Sequence, residues 1–425
     1  MKQKLTDFFQ KLSPIFTKLG TNNYLQAISA SMMATLGVII VGSIAVLLMV
    51  FPIPEVKNFL ESIGMRSIFV SVNNITINAI SLYVAVFMGR NIVNKFMPEE
   101  DGVSSGIISL MCFLIITPLD KIEDTITVIP TTWLGPQGLF SAMIVGIIVG
   151  RTYVLFRQKG WTIKMPDGVP PMVTKVFDSL IPCLVSGAFF VIIARIFAGT
   201  SFGNVHQCIY SVIQEPLKGI GGTIGAVIFI SVLQQILWFF GIHGTNVIMP
   251  IVRALWLAMD AENIAAVAAG QTPPNIVGYA FFATITWGGM ALGLVLLMLR
   301  SKSKQYQQLG KVAIVPALFG ITEPVIFGTP LVLNFKLAFP FIFNNAIVMA
   351  IAYVCTKIGL ISICAGVQPV FGMPLGFYAA VQGSISIIIF QVITQLILSP
   401  ILWYPWFKMA EKEAVARENG AVENA

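Results

Sequence analysis

Two ionisable side chains sit where apolar sequence is interrupted by glycine. His243 lies in Phe239 to Gly244 (FFGIHG) and Glu323 in Gly320 to Gly328 (GITEPVIFG). Such groups are costly in an apolar segment unless a substrate or ion uses them. An imidazole donates to or accepts from a hydroxyl near neutral pH, and Gly241 and Gly244 free the backbone beside it to turn and expose amides. Thr245 and Asn246 follow directly. Pro324 disfavours helix at Glu323, so that carboxylate is expected at a helix break with Thr322 beside it. A buried carboxylate accepts hydrogen bonds from vicinal hydroxyls, as on a sugar, more strongly than a neutral group does. Trp238, just upstream, offers either a stacking platform for a sugar ring or an interfacial belt residue. Simpler roles also fit: His243 satisfied by carbonyls at a helix end, or Glu323 as a proton site or ion-paired with Lys336 or Arg253.

The elements that must position these residues are membrane helices. Of 425 residues, 56% are hydrophobic and 11% charged, with a mean hydropathy of +0.85, whereas a soluble domain carries about 25% charged residues. Apolar runs such as 28–51, 103–119, 138–156, 180–198, 279–299 and 383–403 approach or exceed what a helix needs to cross a hydrocarbon core of about 30 Å. The pattern predicts an all-α polytopic membrane protein with about ten crossing or re-entrant segments, since no barrel-type alternation is present. The polar, proline-containing stretch 158–178 divides it. The expected order is a scaffold (1–157), a cytoplasmic linker with a short amphipathic helix (158–178), a transport part chopped by Gly and Pro (179–408) and a charged tail (409–425).

Basic residues set the orientation. The amino-terminal tail, segments 90–102, 151–178 and 300–311, and the carboxyl tail carry 18 of the 26 Lys and Arg, against four in the intervening segments 52–67, 120–137 and 199–218. The rich segments and both termini are therefore expected in the cytoplasm. The formal charge of +7 is thus explained by topology, and no nucleic-acid partner is expected. Residues 1–20 alternate apolar residues and lysines with helical period, which predicts an amphipathic helix on the membrane surface. Five cysteines without CxxC spacing and two histidines suggest neither a metal site nor a redox centre, and no cofactor is expected.

At these motifs the chain resembles enzyme IIC, the membrane subunit of the bacterial phosphoenolpyruvate-dependent sugar phosphotransferase system, in its lactose and cellobiose (diacetylchitobiose) branch. The resemblance is carried by LWFFGIHG at 237–244, GITEPVIFG at 320–328 with PLVLN at 330–334, WTIKMPDGVPPMVTKVF at 161–177 and MPLG at 373–376. It implies an amino-terminal dimerisation domain and a carboxyl-terminal transport domain with two re-entrant hairpins, moving as an elevator within a homodimer in the bacterial cytoplasmic membrane. It also implies that a phosphorylated cysteine on a IIB protein, charged through IIA, donates its phosphoryl group to a hydroxyl of the bound sugar. By position His243 matches the family's histidine near that hydroxyl, as positioning group or general base, and Glu323 its sugar-binding glutamate. In-line phosphoryl transfer needs mainly alignment and charge stabilisation, consistent with a site that has no metal. Phe371 stands where the family often has Trp, offering less stacking area and no indole N–H. The short segment after Trp406 leaves no room for a IIA or IIB domain, so both are expected as separate polypeptides.

Two other classes fit the same residues. An ion-coupled sugar or solute carrier would use Glu323 and His243 as proton sites and deliver its solute unmodified. In a non-transporting receptor or scaffold the polar breaks would be incidental, and sugar binding would not depend on Glu323. A self-sufficient membrane enzyme is disfavoured, because the sequence offers no nucleophile with its own base.

Overall fold

The computed structural model describes residues 21–49, 54–122, 126–166, 168–241, 244–329, 331–368 and 372–423. The expected amphipathic helix at 1–20 lies outside them, as do His243 and Phe371. The all-α expectation holds apart from a small antiparallel ribbon, Asp120–Ile122 with Ile126–Val128. Among the described residues seven helices are long and apolar enough to cross a membrane, or eight if Val205–Gly221 and Ile224–Phe239 count as one span. The expected ten included re-entrant segments; pieces such as Val103–Ile115 and Glu323–Gly328 are too short to cross a membrane's thickness.

The chain forms two compact units, residues 21–220 with 249–272, and residues 221–248 with 273–423. In the first, Asn22 caps the Asn23–Ala34 helix by accepting from the Tyr24 and Leu25 amides at 3.0 and 3.2 Å. Its centre is the helix Ile80–Phe96 packed on Val103–Ile115 and Leu139–Lys159. Lipid supplies no hydrophobic drive between helices, so close contact must come from small residues. Gly146 and Gly150 provide it: a Cβ on either would stand 2.3 Å from Met88 or 2.6 Å from Ile92. Arg157 joins Glu100, at 3.1 Å from its Nε, to Asp178.

The linker is shorter than the sequence suggested. In place of a separate amphipathic helix within 158–178, one helix runs from Pro171 to Ala198, because proline at the first helical position needs no amide partner. That helix packs on Val103–Ile115 and Leu139–Lys159 and so belongs to the first unit.

The second unit is built from interrupted helices. Its last helix, Ser399–Glu423, continues through the segment expected as a charged tail. Two carboxylates on it hold the 301–305 connector. Glu411 accepts the Lys302 amide at 2.8 Å, and Glu418 accepts the Ser303 hydroxyl and the Lys304 and Gln305 amides at 2.6–3.0 Å. The carboxylate of Glu418 thereby caps the orphan donors at the start of the helix Lys304–Leu318.

Candidate functional site

Both motifs fall in the second unit, where each forms a helix end followed by a new helix start. The helix Ile224–Phe239 stops at Phe240 and turns at Gly241, whose φ of +80° is the left-handed conformation glycine takes most readily. The next helix starts at Gly244. A Cβ at Gly244 would lie 2.1 Å from the Gln234 carbonyl oxygen, so only glycine fits. Beyond it the Thr245 hydroxyl accepts from the Trp238 indole at 3.4 Å.

In the second motif the helix Lys304–Leu318 ends at Phe319 and Gly320, and Glu323 opens the helix Glu323–Gly328 with Pro324 in its first turn. The expected break therefore lies immediately before Glu323. The Thr322 carbonyl accepts from the amides of Val325 and Ile326, both at 2.9 Å. The turn that follows is bonded to the first motif: the Leu333 amide donates to the Phe239 carbonyl at 2.9 Å.

A third break was not foreseen, since 279–299 reads as one apolar run. Gly288, Gly289 and Met290 have φ of 57°, 53° and 60°, a left-handed step in the middle of that span. Carbonyls freed inside a membrane protein need other donors, and the last helices supply them. Gln391 donates to the Thr284 carbonyl at 3.0 Å, and Gln395 to that of Trp287 at 2.9 Å. Ser399 and Trp403 donate to the carbonyl of Met290 at 2.6 and 2.9 Å. Gln395 lies in a π-helical turn, Thr394–Leu398, that lets the polar row face one direction. The Gly288–Gly289 pair and the four-residue spacing of Gln391, Gln395, Ser399 and Trp403 are the sequence signals of this device. Trp287 then packs over Gly320, where a Cβ would come within 2.9 Å of its indole nitrogen, and donates to the Met373 carbonyl at 3.3 Å. The Leu375 amide donates to the Leu318 carbonyl at 3.1 Å, fixing the MPLG segment beside the second motif.

These breaks enclose a cavity of about 380 Å3, within the roughly 300–1,000 Å3 range of small-molecule sites. Trp238 and Thr322 both line it, so two of the residues singled out in the sequence come together. Gly244 is buried against Gln234. Glu323 and Asn246 are placed by their backbones alone, each at the first turn of a helix. Neither suggested counter-charge is left open: Lys336 pairs with Glu413, and Arg253 contacts the Met33 sulfur at 2.8 Å.

The cavity also contains polar groups that the motif reading missed. The side-chain oxygens of Gln234 and Asn345 are buried in its wall without a hydrogen-bond partner among the described residues. Adjacent Gln235 donates to the Phe341 carbonyl at 2.9 Å and closes one side. The Gln234–Gln235 and Asn344–Asn345 pairs inside apolar helices are the signal that finds them. No ionised side chain lines the cavity among the described residues. Nor do those residues contain a group of three or more metal-ligating side chains. The arrangement surrounds the cavity with amide, hydroxyl and aromatic side chains, a lining suited to a neutral, hydroxyl-rich molecule.

The family model "Phosphotransferase system, EIIC" matches residues 29–344. The chain is 33% identical to the oligo-beta-mannoside-specific EIIC component of Bacillus subtilis (strain 168), covering 98% of this chain and 96% of that one. It is 27% identical to the lactose-specific EIICB component of Staphylococcus aureus (strain COL), covering all of this chain and 75% of the relative. The crystal structure of the transporter ChbC, the IIC component from the N,N'-diacetylchitobiose-specific phosphotransferase system, superposes with a TM-score of 0.89. The two share 31% identity, with 97% of this chain and 99% of that one covered.

Proposed function

We propose, from the premise that this chain belongs to the EIIC family of the phosphotransferase system, that its cavity holds a β-linked disaccharide while a phosphoryl group passes to one sugar hydroxyl. As a member the chain is a sugar permease component of that system. The observation that carries the substrate reading is the pair of amide oxygens, Gln234 and Asn345, unpartnered among the described residues, in a cavity beside Trp238. Each would cost roughly 1–3 kcal/mol if left unsatisfied, and sugar hydroxyls are donors of the right kind. The names of relatives specific for oligo-β-mannosides, cellobiose and lactose support a β-glycoside.

In this reading His243 orients or deprotonates the reacting hydroxyl and Glu323 accepts from neighbouring hydroxyls. Asn246 and Thr322 complete the polar contacts, and Trp238 and Phe371 flank the sugar ring faces. Gly244, next in sequence to His243, fits against the Gln234 carbonyl where a side chain would not. Because Glu323 begins a helix, the amide ends at its first turn favour negative charge there and hold the carboxylate ready to accept.

The donor is a phosphorylated IIB protein, itself charged by IIA. A relative named as EIICB, three quarters of which this chain covers, supports the IIB link. The distribution of Lys and Arg supports a bacterial cytoplasmic membrane protein with both termini and the 300–311 connector in the cytoplasm. The homodimer and the elevator movement of a transport domain follow the family resemblance, while the ten-segment count and the scaffold-and-transport division rest on the apolar runs and the Gly and Pro interruptions of the sequence. The compactness of 221–248 with 273–423, where all three helix breaks lie, supports that unit as the moving one.

The test is uptake of a labelled β-disaccharide panel into vesicles holding this protein, with and without phosphorylated IIB, followed by chemical analysis of the product. Sugar phosphate formed only with the donor is the expected result. Unmodified sugar accumulating with a proton gradient would overturn it in favour of an ion-coupled carrier.

A further inference from the structure

A second cavity of about 320 Å3 in the same unit is lined by Tyr306, Thr329, Asn334, Lys336, Glu413 and Arg417, among others. It lies just across one turn of chain from the sugar cavity. Within residues 326–333, Ile326 and Leu331 face the sugar cavity, whereas Thr329 and Leu333 face this one. Its character is opposite to that of its neighbour. Lys336 and Arg417 bring two positive charges against the single carboxylate of Glu413, which pairs with Lys336. Glu418, near Arg417 in sequence, is turned to Ser303, Lys304 and Gln305 instead. Thr329 is only 2% exposed, and its hydroxyl has no partner among the described residues. A buried hydroxyl without a partner beside a surplus of cationic donors is the pattern of a site for an oxyanion.

We propose that this cavity is a subsite for a phosphate monoester. It rests on the phosphotransferase reading, because such a system puts a phosphate monoester next to the sugar cavity in two forms, the donor's phosphoryl group and the phosphorylated sugar that leaves. Arg417 supplies a planar fork that matches two phosphate oxygens, and Lys336 supplies a point charge once Glu413 gives it up. Thr329 donates its free hydroxyl from the wall between the cavities. Glu413 is then a competitor of the ligand: it neutralises Lys336 in the empty state and is displaced when a dianion arrives.

The sign of the Glu413 effect is the test. The full-length protein in lipid nanodiscs is titrated with glucose 6-phosphate, inorganic phosphate and glucose by calorimetry, and separately with cellobiose. One equivalent of each phosphate should bind, and glucose should not bind at this site. Arg417→Gln should weaken the phosphates about tenfold, the usual size of one charge-assisted contact. Lys336→Gln should weaken them less, and Glu413→Gln should strengthen them several-fold, with cellobiose affinity unchanged in all three. A merely structural ion pair would not give opposite signs for the two ends of the Lys336–Glu413 bridge. Absence of phosphate binding, or weaker binding in Glu413→Gln, overturns the proposal. Donor-dependent sugar phosphorylation in the wild-type protein without phosphate binding would refute the subsite and leave the permease reading standing; loss of that phosphorylation would refute the reading itself. Turnover with phosphorylated IIB separates the two sources. A raised KM for the donor in Arg417→Gln assigns the site to the donor's phosphoryl group, and a lowered kcat with bound product assigns it to the departing sugar phosphate. Either supports the subsite.

Discussion

Replacing Asn345 by Leu should make the empty protein more stable and the sugar complex weaker. The side-chain oxygen of Asn345 is buried in the cavity wall with no partner, and the residue is 4% exposed. An acceptor in that position costs on the order of 1–3 kcal/mol while the cavity is empty. Leu is close in volume and removes that cost, so a stabilisation of about 1 kcal/mol is expected after allowing for imperfect packing of the branched side chain. When the sugar is bound the same oxygen accepts from a hydroxyl. The variant then leaves that hydroxyl without a partner, a loss of roughly 1.4–3 kcal/mol, or about tenfold to somewhat over a hundredfold in Kd. Gln234→Met should behave alike, since its oxygen is also buried and unpartnered in the wall. The assay pairs the thermal midpoint of the empty protein in nanodiscs with cellobiose titration followed by tryptophan fluorescence, because Trp238 and Trp403 both line the cavity. A variant that lost stability and kept its sugar affinity would show that Asn345 is structural and that the sugar lies elsewhere.

Gly244→Ala should displace the helix start at Gly244 from the preceding helix, because its methyl group would sit 2.1 Å from the Gln234 carbonyl oxygen. A destabilisation of about 1–3 kcal/mol or more should appear as a lower thermal midpoint together with lost sugar binding. Trp403→Phe removes one of two donors to the Met290 carbonyl and should cost about 1 kcal/mol. Combining it with Ser399→Ala should cost more than the sum of the two, because the carbonyl is then left bare. Asp101 is held below its ordinary value, first by the Val103 amide and then by Lys175. Its small contribution should be present above the usual carboxylate range and disappear as the pH falls below it, and Asp101→Asn should flatten that part of a pH–stability profile.

Much of this organisation is legible in the residues, but unevenly. Hydropathy identifies the helical membrane class, and Gly241, Gly320 and Pro324 mark the helix ends because each has a conformational reason to be there. The break before Glu323 and the helix end at Phe240 and Gly241 therefore stand where the sequence places them. The break at Gly288–Met290 escapes a hydropathy reading because its neighbours are as apolar as those of an intact span. Only the polar row Gln391, Gln395, Ser399 and Trp403, 107 to 113 residues after the carbonyls it bonds, reveals that carbonyls have been released. Gln234 and Asn345 escape a motif reading for a different reason. An amide in an apolar helix is equally compatible with bonding a neighbouring backbone, as Gln235 does, and only the fold shows which of the two glutamines remains open. The joining of residues 171–178 to the following span is a propensity matter: Pro171 can start a helix as readily as end one.

The bond between the Leu333 amide and the Phe239 carbonyl ties together the turns that follow and precede the two ionisable residues. Leu333 takes a φ of 56° to make it, an unfavourable conformation for a residue with a Cβ. A strained residue held by one backbone bond between two motifs means that the motifs are positioned relative to each other, as in-line transfer to a hydroxyl requires. Leu333→Gly should relieve the strain and keep the bond, raising the thermal midpoint if left-handed strain outweighs the lost side-chain contacts and the added freedom of the unfolded chain. Leu333→Pro removes the amide and demands a negative φ. It should therefore uncouple the turns and lower donor-dependent phosphorylation by far more than it lowers cellobiose affinity. Equal losses in both would place the role of this bond in holding the sugar cavity together, and not in aligning the two motifs for transfer.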